Sequence, residues 1–89
     1  MKVVLNSDCL RERQYAQKYL KEQFGFPEYY GYNLDALYDF LTDLGETEIV
    51  ISGENDSRYL RRVRRVLEAA ERDNPALTVI SEKEGVILE

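Results

Sequence analysis

Apolar and polar positions along this chain follow two rhythms. Val3-Val4-Leu5 is a continuous apolar run closed by Asn6 and Ser7, the pattern of a short strand covered on both faces. Leu10, Ala16, Tyr19, Leu20 and Phe24, with Tyr15 beside them, trace a partial stripe at helical spacing. That stripe predicts a helix over residues 10–24, capped by Ser7 or Asp8 and stopped by Gly25. Glu-Ile-Val-Ile-Ser at 48–52, ended by Gly53, and Leu-Thr-Val-Ile-Ser at 77–81 read as second and third strands. Between them Leu60, Val63, Leu67 and Ala70, flanked by Tyr59 and Val66, form the inner face of a helix. Asn55, Asp56 or Ser57 caps it, and Asn74-Pro75 ends it after about Asp73.

The stretch between the first helix and the second strand is different. It reads as an aromatic loop feeding a short helix, with Asn33 as N-cap, Gly31 supplying backbone freedom before it and Gly45 ending it. Leu34, Leu37, Tyr38, Leu41 and Leu44 recur at three- and four-residue spacing, so one face is apolar. The opposite face carries Asp35, Asp39 and Asp43, each four residues from the next. Like charges at that spacing repel by about 0.2–0.5 kcal/mol per pair, and Asp43 also faces the negative end of the helix dipole. Nothing nearby compensates: residues 23–57 contain eight carboxylates and no Lys or Arg, while the rest of the chain holds all 12 bases.

Strands separated by helical segments require long crossovers, hence a parallel sheet and an α/β fold. We expect one domain over residues 1–89, with a three-stranded parallel sheet packed with helices in two or three layers and the first, most apolar strand in the middle. Val86-Ile87-Leu88 could add a strand by pairing back on the third through a turn at 82–85, or form an irregular apolar clasp.

Composition narrows the chemistry. At 44% hydrophobic residues over 89 positions the chain can bury a core, so disorder is excluded. There is no histidine, which removes the commonest general base and zinc ligand together with every Ser-His or Cys-His device. Cys9 stands alone and gives no sign of an oxidising compartment. No apolar run can span a bilayer, and the first residues turn polar too soon for a signal peptide, so a cytoplasmic location is expected, without membrane attachment. A net charge of −5 points to a basic partner and away from nucleic acid. Arg58, Arg61, Arg62, Arg64 and Arg65 could form a phosphate-binding stripe. They also fit a solvated helix face, neutralised in part by Glu54, Asp56, Glu68 and Glu71, or a counterweight to the acidic segment. No glycine-rich phosphate loop is present, and no cofactor is expected.

Tyr29, Tyr30, Tyr32, Asn33, Leu34, Asp35, Tyr38, Asp39, Thr42 and Asp43 together offer rigid amphipathic rings and a negative field. That is the equipment for binding a cationic protein surface. A plainer reading makes the tyrosines half-buried core and the acids a solvated rim, but leaves the missing bases unexplained. A third makes Asp35 and Asp39 an acid-base pair or a divalent-cation site.

Pro27-Glu28-Tyr29-Tyr30-Gly31, then Asn33-Leu34-Asp35-Ala36-Leu37, Tyr38, Asp39 and Leu41-Thr42, closely resembles the signature of the barstar family, intracellular inhibitors of barnase-type secreted ribonucleases. The resemblance implies a non-enzymatic protein whose loop and acidic helix plug the active-site cleft of a basic ribonuclease, as a monomer or 1:1 heterodimer. It implies Asp39 in the place of a substrate phosphate, Asp35 receiving arginine or backbone donors, and Tyr29 on a catalytic histidine. Asn33, Leu34, Tyr38 and Thr42 would flank them, and a later acid, Glu68 or Asp73, would also reach the enzyme. Tyr38 and Leu44 stand where the family has a tryptophan and another aromatic, and Thr47-Glu48 replaces a Tyr-Pro. An interaction or immunity module of the same fold for a different basic protein or nuclease toxin is the alternative.

Overall fold

A computed structural model describes residues 1–82. In chain order it contains β1 (Lys2–Asn6), a 3-10 turn (Ser7–Leu10), α1 (Arg13–Phe24), α2 (Leu34–Thr42), β2 (Thr47–Ser52), α3 (Arg58–Asp73) and β3 (Leu77–Glu82). The strands form one parallel sheet in the order β1-β2-β3, with Val3 opposite Ile49 and Ile49 opposite Val79. The expected fold class is therefore present. The possible strand at 86–88 lies outside the described residues.

The expectation of a central first strand is corrected: β2 is central. Both runs are apolar, but β1 alternates, burying Val3 and Leu5 while Val4 is 48% exposed; in β2, Ile49, Val50 and Ile51 are all buried. This order also selects two layers over three. Each crossover between parallel strands is right-handed, so a chain stepping 1-2-3 in one direction returns over the same face every time. A central β1 would have sent the second crossover to the opposite face. Val3, Leu5, Ile49, Ile51 and Leu77 accordingly meet the helices. The other sheet face shows a row of Val4, Val50 and Ile80 bounded by polar positions.

The ends of the helices refine the sequence reading. The first helical segment breaks in two: Asn6 accepts from the Asp8 amide to start the 3-10 turn, and α1 then begins at Arg13 without a side-chain cap. Tyr15, assigned to the stripe, is exposed, and Gln17 is buried instead. Gly25 closes α1 at φ 68°, a left-handed conformation open to glycine at no steric cost, donating to the carbonyls of Lys21 and Glu22. Ser57 is the cap of α3, accepting from Leu60 N–H. Glu71 does not neutralise an arginine as expected; its carboxylate accepts from Val79 N–H on the outer side of β3, satisfying an edge group.

α2 packs chiefly on α3, while α1 lies along β1 and α3 along β3. Leu37 and Leu41 are fully buried at that junction. α2 is thus a helix on the flank of the molecule, with one face against the core and the opposite one in solvent.

Candidate binding surface

The aromatic loop holds α2 at its amino end. Phe24, Phe26, Tyr30 and Phe40 are clustered, with Phe26 ring centroids 5.2, 4.8 and 5.0 Å from those of Phe24, Tyr30 and Phe40. Tyr29 and Tyr32 lean on the rim of this cluster, against Phe40 and Tyr30. Tyr30, expected on the binding surface, is 2% exposed and belongs to the core beneath it. Its hydroxyl donates to Gln17 Oε1, and Gln17 Nε2 donates to the Tyr59 hydroxyl at 2.7 Å. Burial, and then the neighbouring Tyr59, push the Tyr30 phenol far above the ordinary tyrosine range. Tyr29, by contrast, is 80% exposed.

Backbone freedom enters one residue later than expected. Tyr32, not Gly31, takes the left-handed conformation, at φ 55°, an uncommon state for a bulky side chain. Gly31 lies tight against the cap: a Cβ there would sit 3.3 Å from Asn33 Nδ2 and 3.4 Å from Ala36 Cβ, so a larger residue would press on the side chains that start α2. Asn33 is the N-cap, with Oδ1 accepting from Ala36 N–H at 2.7 Å and Nδ2 donating to Gly31 O at 3.1 Å. Leu34 is half-buried against the core.

Asp35, Asp39 and Asp43 stand exposed on the outer face of α2. Among the described residues the ion pairs are Lys21–Glu28 and Arg61–Asp56, so none of these three carboxylates is neutralised by a base among them. Thr42 Oγ1 turns back to donate to Asp39 O. The helix ends at Thr42 with Asp43 as C-cap, two residues before Gly45, and no basic residue occupies its last turn.

Carbonyls at and just past that end are also met from another element. Asn74, just past α3, is buried; its Nδ2 donates to Leu41 O at 3.1 Å and Leu44 O at 2.9 Å, while its Oδ1 accepts from Ala76 N–H. A neutral amide thus replaces the cation a helix C-terminus usually attracts. One residue earlier, Asp73 accepts a hydrogen bond from the Tyr38 hydroxyl. Of the two acids considered on α3, Asp73 is the one bonded to α2; Glu68 is exposed nearly a turn and a half earlier.

These features compose an exposed, acidic, tyrosine-edged surface on a helix packed against the core. Residues 1–82 match the family model described as Barstar (barnase inhibitor). The chain belongs to the barstar family. Its members are described as inhibitors of barnase, so a barnase-type inhibitory role holds for this chain in general terms.

The remaining features do not compete with that surface. Among the described residues, no group of three His, Cys, Asp or Glu side chains is arranged to hold a metal ion, and no helix is long and apolar enough to cross a membrane. A groove of about 650 Å³ opens at the carboxyl ends of β1 and β2, where parallel sheets often take ligands, but Asp8, Glu54, Asn6 and Asn55 line it without a cation. On α3, Arg58, Arg61, Arg62 and Arg65 are exposed, and Arg61 is held by Asp56 at 3.3 Å.

Three residues that organise the surface were not legible as such: Phe40, Gln17 and Asn74. Phe40 falls outside the leucine stripe of α2, and its role depends on the loop folding back onto it. The two amides serve partners from distant segments, for which a single sequence carries no local signal.

Proposed function

We propose that this protein is a cytoplasmic inhibitor of a basic, barnase-type ribonuclease, acting by inserting α2 and the Tyr29 loop into the enzyme's active-site cleft. Asp39, central in the acidic column, takes the position of a substrate phosphate against the enzyme's cationic groups. Asp35 and Asp43 extend the negative field to either side, and Asp73 adds a fourth carboxylate from α3. Tyr29 supplies an exposed ring to pack on the enzyme, with Asn33, Leu34, Tyr38 and Thr42 around it; Tyr30 supports the loop from below. The complex is a 1:1 heterodimer without cofactor.

The observation that carries this reading is the exposed column of Asp35, Asp39 and Asp43, unpaired among the described residues. Asp35 is favoured in the first turn of α2, but the repulsion along the column and Asp43 at the negative end of the helix cost folding stability, whereas opposite a cationic cleft the same carboxylates gain charge-assisted hydrogen bonds. The test is isothermal titration of barnase with the wild-type chain and with Asp39→Ala. We expect Asp39→Ala to weaken binding most among the surface aspartates, by at least about 2 kcal/mol, a range for which the namesake pair is itself a reference case. Equal affinity for wild type and variant would refute the charge-mimicry mechanism.

Tyr38 and Leu44, standing where the family carries a tryptophan and another aromatic, favour a second reading in which the partner is a diverged nuclease or another basic protein. Wild-type protein that ignores barnase but suppresses a nuclease from its own source would select it.

A further inference from the structure

Tyr38 and Asp73 lie 35 positions apart in sequence, on different helices, yet the phenol donates to the carboxylate. The Tyr38 ring is half-buried and packed against the core, which delivers its hydroxyl to a fixed point at the edge of the acidic face. Asp73 is exposed and is the last residue of α3, the negative end of that helix. Left alone there, a carboxylate gains nothing from the helix and is free to rotate into solvent. The charged groups facing the phenol are Asp73 and Arg72 from α3 and Asp39 from α2. The hydrogen bond to Asp73 is the main cause of a raised phenol pKa, followed by burial and the charges of Asp73 and Asp39, with Arg72 opposing.

We propose that Tyr38 is a positioning residue: its hydroxyl holds the Asp73 carboxylate against the rim of α2, so that the surface offered to a cationic partner is built from two helices at once. This rests on the inhibitory reading above and adds to it the group that orders the outlying acid. A phenylalanine at position 38 would keep the ring packing and lose only the tether. A tether of this kind lowers the ordering cost of binding and leaves net charge unchanged, so its loss belongs in the dissociation rate.

The experiment has two arms. Selectively labelled Tyr38 is titrated by NMR in the wild type and in Asp73→Asn; the midpoint is expected to fall toward the ordinary tyrosine value in the variant. Barnase binding is then followed by stopped flow for the wild type, Tyr38→Phe, Asp73→Asn and the double variant, with urea unfolding as a check on each fold. Tyr38→Phe should raise the dissociation rate by about 3- to 10-fold with little change in association, and should have no further effect in the Asp73→Asn background. An unchanged Tyr38 midpoint in Asp73→Asn, or the same cost of Tyr38→Phe in both backgrounds, overturns the positioning role alone. A wild type that does not bind barnase overturns the reading of barnase as partner, and with it this role in a barnase complex.

Discussion

Gln17 sits inside the protein with its amide divided between two phenols, accepting from Tyr30 and donating to Tyr59. Each of these rings belongs to a different part of the chain, the binding loop and α3. A buried hydroxyl that loses its only partner keeps its desolvation penalty, about 1–3 kcal/mol. Gln17→Leu fills similar volume but strips the Tyr59 hydroxyl of its partner and leaves the Tyr30 hydroxyl with only the long contact to Asn33 O at 3.5 Å, so we expect a loss of about 1–3 kcal/mol in urea unfolding. Association with a ribonuclease should be little changed, because no surface charge has moved. Unaltered stability would mean that the two hydroxyls find other partners and that the bridge is incidental. Such a residue is invisible to periodicity: beside Ala16 and Leu20 it reads as a polar neighbour of the stripe, and only the assembled fold brings the phenols to it.

At the level of elements, α2 trades stability for surface. Its last turn has no base, its C-cap is Asp43, and the Asn74 amide supplements the backbone donors at that end by bonding Leu41 O and Leu44 O. Asp43→Lys removes one repulsion with Asp39 and places a cation at the negative end of the helix, for a gain of about 0.5–1.5 kcal/mol. The same change should slow association with a basic ribonuclease. Denaturation midpoints together with binding kinetics check both halves, and a variant no more stable than the wild type would show that the acidic column carries no folding cost. The N-cap and stripe of α2 were readable because they are local, from Asn33 to Leu41, whereas its end, expected at Gly45, comes at Thr42 with Asp43 as C-cap. The central strand was not, because Val3-Val4-Leu5 and Ile49-Val50-Ile51 look alike as apolar runs. What separates them is the direction in which the crossovers step, and that is a property of the whole sheet.

Over the whole molecule, charge is sorted by segment: eight acids and no base in residues 23–57, against a chain net charge of −5. The arginines of α3 belong to a different helix, and one of them is already engaged with Asp56. A field of this kind acts at a distance, before the surfaces touch, and salt attenuates it over a screening length of about 8 Å at physiological ionic strength. Contacts already formed and dried are screened far less. The association rate with a basic ribonuclease should therefore fall by about tenfold or more between low and high salt, while the dissociation rate changes by less than about threefold. The namesakes of the family are themselves a reference case for such steering. Stopped-flow measurements across a salt series separate the two rates. If dissociation carried most of the salt dependence, the acids would be acting through exposed, exchangeable contacts at the rim. The column on α2 would then be a solvated edge, and the phosphate-like role of Asp39 would lose its physical basis.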